Sequence, residues 1–377
     1  MSEILDRFVG NISPTALLVS SFFWSWFDVV PFSPALFFAR GSPIDPKLFM
    51  ISFAAGTMFM VLCAASVRLR TSLLEPKTFA LVSLIFGSLG TLAIFFGIGQ
   101  SHMLFIAGCL LVGVYQGAGI ILVGSVATCE GTTNALVHLA AALPLNIVAI
   151  LLVVFLQPIA SVIFIASLPL LSTVSFAVYV IRSDNRATFG SVKIVQPASS
   201  AISEGRHRIL GCDRSFLFFV LIVTAAFGFV NYYATIFDTP NSALASYAPI
   251  VWRAVTSFGV LVGYLFLSWR PYSILRGSMF LIVIGLLLTA LVSAFGRAGN
   301  LFSESPVFIG FACFDLLIWA IMIMSRYRSG TSLLRIICVV EALDEFGMLA
   351  GTVLGLYIGS DSSLALVAYA AFSVFYY

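Results

Sequence analysis

The stretch RSDNRATFGSVKIVQPASSAISEGRHRILGCDR, from Arg182 to Arg214, is the longest polar segment of the chain. On both sides of it, apolar stretches recur from Pro14 to the last residue, and about 20 apolar residues are enough to cross a bilayer as a helix. Because lipid offers no water to unpaired backbone groups, such stretches fold as helices. The sequence therefore predicts an all-α membrane protein divided in two by a polar central segment.

The composition argues for lipid as the solvent of this chain. Of the 377 residues, 60% are hydrophobic and only 9% are charged, whereas soluble domains carry about 25% charged residues. No phosphate-binding loop, metalloprotease or hydrolase motif and no dinucleotide-binding glycine pattern is present. The three His are scattered and the six Cys form no Cys-x-x-Cys pair. We therefore predict no enzymatic activity, no metal site and no cofactor.

The apolar stretches predict twelve membrane spans, six on each side of the central segment. This gives an N-terminal six-helix half (1–181), a central loop (182–214) and a C-terminal six-helix half (215–377). The final span is short for a bilayer, and we expect it to be truncated. The spans lie near residues 14–38, 48–67, 78–99, 103–127, 133–156, 158–181, 215–237, 247–269, 272–295, 305–325, 334–358 and 361–377.

The basic residues indicate the orientation of these spans. Lys and Arg are enriched in cytoplasmic loops. If the N-terminus is inside, the outside loops hold only Arg40, Lys47 and Arg297 of the nineteen Lys and Arg residues. Arg253 falls within a span, and all the others fall inside. We therefore predict that both termini are cytoplasmic and that the protein is a multi-pass protein of the plasma membrane.

Six spans, a cytoplasmic loop and six more spans resemble the major facilitator superfamily (MFS). A weak internal repeat is consistent with this resemblance, since LFIAG begins at Leu104 in span four and VFIGF at Val307 in span ten. The resemblance implies that spans one, four, seven and ten line a central cavity. It also implies that spans two, five, eight and eleven flank the seam between the halves.

Two carboxylates in the predicted cavity-lining spans share a local setting. Trp24 lies one helical turn before Asp28, and Trp319 lies one turn after Asp315, so that both Trp are on the cytoplasmic side of their Asp and on the same helix face. Ionisable groups in hydrocarbon usually face a cavity or a partner. Two interpretations remain open here: a ligand pocket with aromatic walls, or Asp residues bonded to neighbouring helices with Trp as packing.

Four further charged residues lie inside predicted spans. Glu341, Asp344 and Glu345 fall within five residues of span eleven, and Arg253 is the only strongly basic group deep in a span. Arg253 is the natural counter-ion for Glu345 or for a cavity Asp. The sequence leaves open whether the contact is a structural ion pair or a gate between the halves.

Small and polar residues add two more candidate features. Gly347, Gly351, Gly355 and Gly359 recur every fourth residue in span eleven, which lets a neighbouring backbone approach closely. This row serves either static packing or movement of one half against the other. Gln116 and Asn231, on cavity-lining spans by the resemblance, either bind a ligand or join helices.

The chain also resembles the membrane input domain of LuxR-type transcriptional regulators. The resemblance rests on FFWSWFDVVPFSPALFFA from Phe22, on FDLLIWAIM from Phe314, and on the stretch 67–77, which lacks the glycines and the acid of the usual MFS signature. It implies a cytoplasmic helix-turn-helix, which this chain does not contain. DNA would therefore be a partner only through a domain outside this chain.

The sequence thus favours a membrane-embedded sensing domain of a LuxR-type regulator. A small amphipathic or cationic ligand would bind near Trp24, Asp28, Asp315 and Trp319 and shift the packing of the two halves. The alternative is an MFS-type secondary transporter, proton-coupled through Asp28, Asp315 or the acids of span eleven. In either case the lipid bilayer is the surrounding partner.

Overall fold

The computed structural model describes residues 13–32, 46–66, 76–129, 138–182, 208–209, 212–237, 248–266, 277–278, 280–288, 301–329 and 333–358. Within these ranges the chain is almost wholly helical. Proline begins four of the helices, where its missing N–H would have no intrahelical acceptor. The helices are α1 (Pro14–Phe32), α2 (Pro46–Ser66), α3 (Pro76–Gly97), α4 (His102–Cys129), α5 (Leu145–Phe155), α6 (Pro158–Arg182), α7 (Arg214–Phe237), α8 (Ala248–Phe266), α9 (280–288), α10 (Leu301–Ser329) and α11 (Leu333–Ile358).

Each of these helices coincides with one apolar stretch of the sequence. The structure differs at the fifth stretch, predicted as one helix over 133–156, where residues 138–142 are helical and a turn at 143–144 precedes α5. Pro144 explains this break because proline disfavours helical backbone in the residue before it. Residues 33–38 and 361–377, predicted to be helical, lie outside the described residues.

Four described helical stretches are long and apolar enough to cross a membrane: Thr78–Gly97, His102–Ala127, Pro158–Arg182 and Ser305–Met322. Their outward surfaces carry large exposed apolar side chains, such as Leu81, Ile163 and Val174. A water-facing surface would be charged, so these surfaces suit contact with lipid. The protein is therefore a membrane protein.

Hydroxyl side chains inside the helices bond mainly to their own backbone. Thr57 donates to the carbonyl of Phe53 at 3.1 Å, and Thr91 donates to that of Gly87 at 2.7 Å. These bonds satisfy hydroxyl groups where no water is present. Similar bonds one turn back along the helix are made by Ser21, Ser125, Thr224, Thr256, Ser257 and Thr352.

The helices pack in two groups, one before and one after the central segment. In the first group α1 contacts α5 and α6, α2 contacts α4, and α3 contacts α4 and α6. In the second group α7 packs on α11 and α8 on α10, while Gly285 of α9 approaches Val307 of α10. The two groups meet where α11 contacts α2 and α4 and where α8 contacts α5.

A two-residue antiparallel ladder precedes the second group. β1 (Arg208–Ile209) pairs with β2 (Cys212–Asp213), which contacts both α7 and α10. Asp213 then accepts a hydrogen bond from the backbone N–H of Ser215 at 2.9 Å, a contact typical of a helix N-terminus. The end of the central segment is therefore anchored to the start of α7.

Candidate functional site

Arg253 of α8 pairs with two carboxylates at once. Its Nη1 donates to Oδ1 of Asp28 at 2.5 Å, and its Nη2 donates to Oδ2 of Asp315. A planar guanidinium presents several N–H donors in a fixed fork and so can bind two acids together. Asp28 belongs to α1, whereas Arg253 and Asp315 belong to α8 and α10. The two ion pairs therefore join the two helix groups. Of the counter-ions that the sequence suggested for Arg253, the structure selects the cavity Asp residues and not Glu345.

Aromatic rings enclose this charged centre. The guanidinium carbon of Arg253 lies 4.8 Å from the ring centroid of Trp24 and 5.5 Å from that of Phe27, within the range of cation–π attraction. Trp319 meets Trp24 edge to face, with 6.4 Å between centroids. The Nε1 atom of Trp24 is buried and has no hydrogen-bond partner among the described residues. The structure thus brings together the four residues around which the sequence placed a pocket, and adds Phe27.

One of the two carboxylates at the centre is partly exposed. The side chain of Asp315 is 37% exposed, whereas Phe314 and Leu316 beside it are buried. The partner Asp28 is 2% exposed. Asp315 lies near the middle of α10 and points between the two helix groups, since it reaches Arg253 and through it Asp28. The exposed carboxylate of Asp315 therefore adjoins the contact between the groups.

Beside the centre, the two groups pack directly against each other. Trp319 and Ile337, from α10 and α11, lie so close to Gly124 of α4 that a Cβ atom there would fall 2.9 Å from the Trp319 ring. Gly124 lies toward the C-terminal end of α4 at Cys129, and Trp319 lies on the C-terminal side of Asp315 in α10, which ends at Ser329. Both contacts of Trp319 are therefore on the same side of the carboxylates. We call Trp24, Gly124, Trp319 and Ile337 the floor of the site.

The floor yields a direct prediction. Replacing Gly124 with Leu is expected to separate α4 from α10 and α11, because the added side chain has no space beside Trp319 and Ile337. Cys338, which follows Ile337 and is 1% exposed, should then react several-fold faster with N-ethylmaleimide, as measured by mass spectrometry. Cys109, buried elsewhere on α4, is the internal control. An unchanged rate at Cys338 would contradict the close packing of the floor.

A second polar contact crosses between the groups. Gln116 of α4 donates its Nε2 to Oε1 of Glu345 on α11 at 2.8 Å, and its own oxygen accepts from Thr57 of α2 at 3.4 Å. Gln116 and Glu345 are 3% and 1% exposed. These contacts favour the helix-joining interpretation of Gln116 in this conformation. The side chain of Asn231, the other amide named from the sequence, lies outside the described residues.

The described helix interiors carry an excess of acidic groups. Asp344 interacts electrostatically with Asp315 and Arg253, and Glu341 interacts with Asp344, Glu345 and Asp315. Asp28, Asp315 and Asp344 interact with Arg253, the one Lys or Arg that the described residues place away from a helix end. No group of three or more His, Cys, Asp or Glu among these residues has the arrangement of a metal site.

The glycine row packs α11 against α7, its neighbour in the same half. A Cβ atom at Gly351 would overlap the carbonyl oxygen of Ala225, and one at Gly347 would lie 2.7 Å from that of Leu221. Gly228 of α7 approaches the backbone of Met348 in return. This contact lies within the second helix group and favours static packing over movement between halves. Gly355 is buried, and Gly359 lies outside the described residues.

Sequence reasoning missed two residues of the site. Phe27 carried a usable signal, because it directly precedes Asp28 in an aromatic run. Gly124 carried none, since its role depends on Trp319 and Ile337, which reach it from the other half of the chain.

No protein-family profile matches the sequence, and no curated protein matches it. The fold, in contrast, is similar to that of MFS transporters of known structure over nearly the whole chain. The protein is therefore a helical membrane protein with an MFS-like fold.

Three solved structures illustrate the similarity. The MFS transporter FucP in its outward conformation is 15% identical with a TM-score of 0.53, covering 97% of this chain and 99% of that chain. The human organic anion transporter MFSD10 (TETRAN) is 11% identical, with a TM-score of 0.61 and 96% of each chain covered. A bacterial homologue of the iron transporter ferroportin, outward-facing with soaked iron, is 17% identical, with a TM-score of 0.59 and 96% of each chain covered. Such identities show the fold alone.

Proposed function

We propose that the protein is a secondary transporter that moves a small aromatic organic cation by alternating access. The observation that carries this proposal is the position of Arg253, an internal cation held by one acid from each helix group and covered by Trp24. An organic cation that enters the site would displace the guanidinium from Asp28 and Asp315 and use the same aromatic wall.

The charge balance supports a cationic cargo. The described helix interiors hold five carboxyl groups and one guanidinium, and the electrostatic attraction between this excess of acids and a cation is strong where water is scarce. An organic anion, the cargo named for the structural neighbour MFSD10, would be repelled by these carboxyl groups. The N–H of Trp24, which has no partner among the described residues, adds a donor for an acceptor group on the cargo.

The conformation supports alternating access. The site is closed at the floor, and the partial exposure of Asp315 supports access to the site from another side. With the orientation that the basic residues predict, the closed side is cytoplasmic and the structure faces outward. FucP and the ferroportin homologue are also described in outward states.

The proposal includes the topology predicted from the sequence. The chain has twelve spans in the plasma membrane, with both termini and the 182–214 loop in the cytoplasm. The halves 1–181 and 215–377 are the two bodies that move relative to each other, and the protein catalyses no chemical reaction. The lipid bilayer surrounds both halves.

Transport of radiolabelled N-methyl-phenylpyridinium into proteoliposomes tests the proposal. We expect saturable uptake that rises when a pH gradient is imposed. Asp28→Asn and Asp315→Asn should each lower uptake at least tenfold, because each removes one of the two charges that a cation would bind. Asp213→Asn, at an exposed position outside the helices, is the matched control and should transport normally.

Two results would count against this function. Uptake no greater than into protein-free liposomes would overturn transport of organic cations. Saturable binding of the same probe without any flux would favour the sensing domain instead, since a sensor needs only a ligand that prefers one of two packings.

A further inference from the structure

Glu345 is a buried acid that the cation site does not use. It is 1% exposed, and its one hydrogen bond among the described residues comes from the Gln116 amide to Oε1. Its second oxygen, Oε2, is also buried and has no hydrogen-bond partner there. An ionised carboxylate in such a place would lack both a counter-ion and a full set of donors.

The charged groups around Glu345 do not supply a counter-ion. On its own helix, Asp344 interacts with it directly and Glu341 lies within electrostatic range. Arg253 of α8 interacts with the neighbouring Asp344 and is already paired with Asp28 and Asp315 of α1 and α10. The described side chains in the middle of α2, α4 and α7, which also pack on α11, include none with a charge.

The position of Glu345 links its charge to the contact between the halves. Glu345 belongs to α11, whereas Gln116 and Thr57 belong to α4 and α2 in the other helix group. If α11 separated from α4, the bond from Gln116 would break and water would reach the carboxyl group. Burial favours the neutral acid, and hydration favours the carboxylate.

We propose that Glu345 is a proton-binding site, distinct from the cation site, that is loaded while the halves are in contact and empties when α11 leaves α4. The step is the reversible addition of one proton from water to the carboxylate, and no other bond is made or broken. The proposal deepens the transporter function, on which its coupling role rests, by naming the proton as the coupling ion and Glu345 as its carrier.

Infrared difference spectroscopy during a pH titration tests the site without any cargo. The protein should show the C=O band of a buried carboxylic acid that disappears as the pH rises. Glu345→Gln should remove this band, and Asp213→Asn should retain it. Gln116→Ala, which leaves Glu345 in place, should shift the band to higher frequency because a hydrogen bond to the carbonyl oxygen is lost. A band unaffected by both Glu345→Gln and Gln116→Ala would overturn the proposal.

Transport of N-methyl-phenylpyridinium separates this proposal from the function on which it rests. Glu345→Gln should still exchange the probe across the membrane. Its accumulation of the probe under a pH gradient should be at least tenfold lower than that of the unsubstituted protein. Undiminished gradient-driven accumulation in Glu345→Gln would overturn the coupling role and leave transport established. An infrared band lost in Glu345→Gln, in a protein that moves no probe, would support the proton site and refute the transporter.

Discussion

Replacement of Arg253 by Met is expected to lower the free energy of unfolding by about 3–5 kcal/mol, the usual effect of removing one partner of a buried ion pair. Asp28, which is almost fully buried, would lose the guanidinium that pairs with it, and Asp315 would lose the same partner. Thermal denaturation in detergent, followed by size-exclusion chromatography, measures the effect as a lower melting temperature.

Two comparisons make this experiment specific. Adding Asp28→Asn and Asp315→Asn to Arg253→Met should restore most of the lost stability, because the buried charges then disappear together. Arg182→Met, at the exposed end of α6, should change the melting temperature little. An unchanged melting temperature in Arg253→Met, or a triple variant as unstable as the single one, would contradict the double ion pair.

The second large effect is expected at Gly351, where substitution by Leu should destabilise the protein by about 3 kcal/mol, the upper end of typical overpacking. Any Cβ atom there overlaps the carbonyl oxygen of Ala225. A backbone group in a packed helix cannot move aside as a flexible side chain can. The variant should therefore force α7 and α11 apart, which the same thermal assay detects.

Gly259 of α8 provides the matched control. A Cβ atom at this position has open space around it within the described part of the structure, so the same change to Leu should leave the melting temperature unchanged or raise it slightly, because glycine is a poor helix former. Equal losses at both positions would contradict close packing on α7 as the cause of the loss at Gly351.

The positions of the helices were predictable because their signal is local. The hydrophobic length of each stretch and the prolines at Pro14, Pro46, Pro76 and Pro158 place the helix starts within a few residues of those observed. The break at Pro144 was also encoded locally, but a long apolar stretch outweighed one proline in the prediction. The number of spans and the side on which the termini lie remain predictions.

The sequence predicts which residues belong to the candidate site, but it does not predict which of them form ion pairs with each other. Charge inside an apolar stretch identifies Asp28, Arg253 and Asp315 from the sequence alone, since such residues need a partner. Which acid binds the guanidinium depends on helix rotation and depth, and the Asp28–Arg253 contact spans 225 residues of sequence. The sequence therefore left Glu345 and a cavity Asp both open as partners of Arg253, and the structure pairs Arg253 with Asp28 and Asp315.

The glycine row shows the same limit from another direction. Spacing every fourth residue predicts that some backbone comes close to α11. The spacing does not say which helix this is. Because the structure packs α7 against the glycine row, the contact lies within one half and serves static packing rather than movement between the halves.

For the transporter proposed above, the double pairing of Arg253 also bears on the kinetics of the unloaded form. With the guanidinium in place, the carboxylates keep their ionic contacts even when no cargo is bound. A carrier whose vacant form is electrostatically satisfied would reset without a return load, as net uniport or symport requires. An obligatory exchanger needs the opposite property, a vacant form that is too unfavourable to reorient. Because the Arg253 guanidinium takes the place of the cargo on both carboxylates, the vacant form of this protein would be able to reorient.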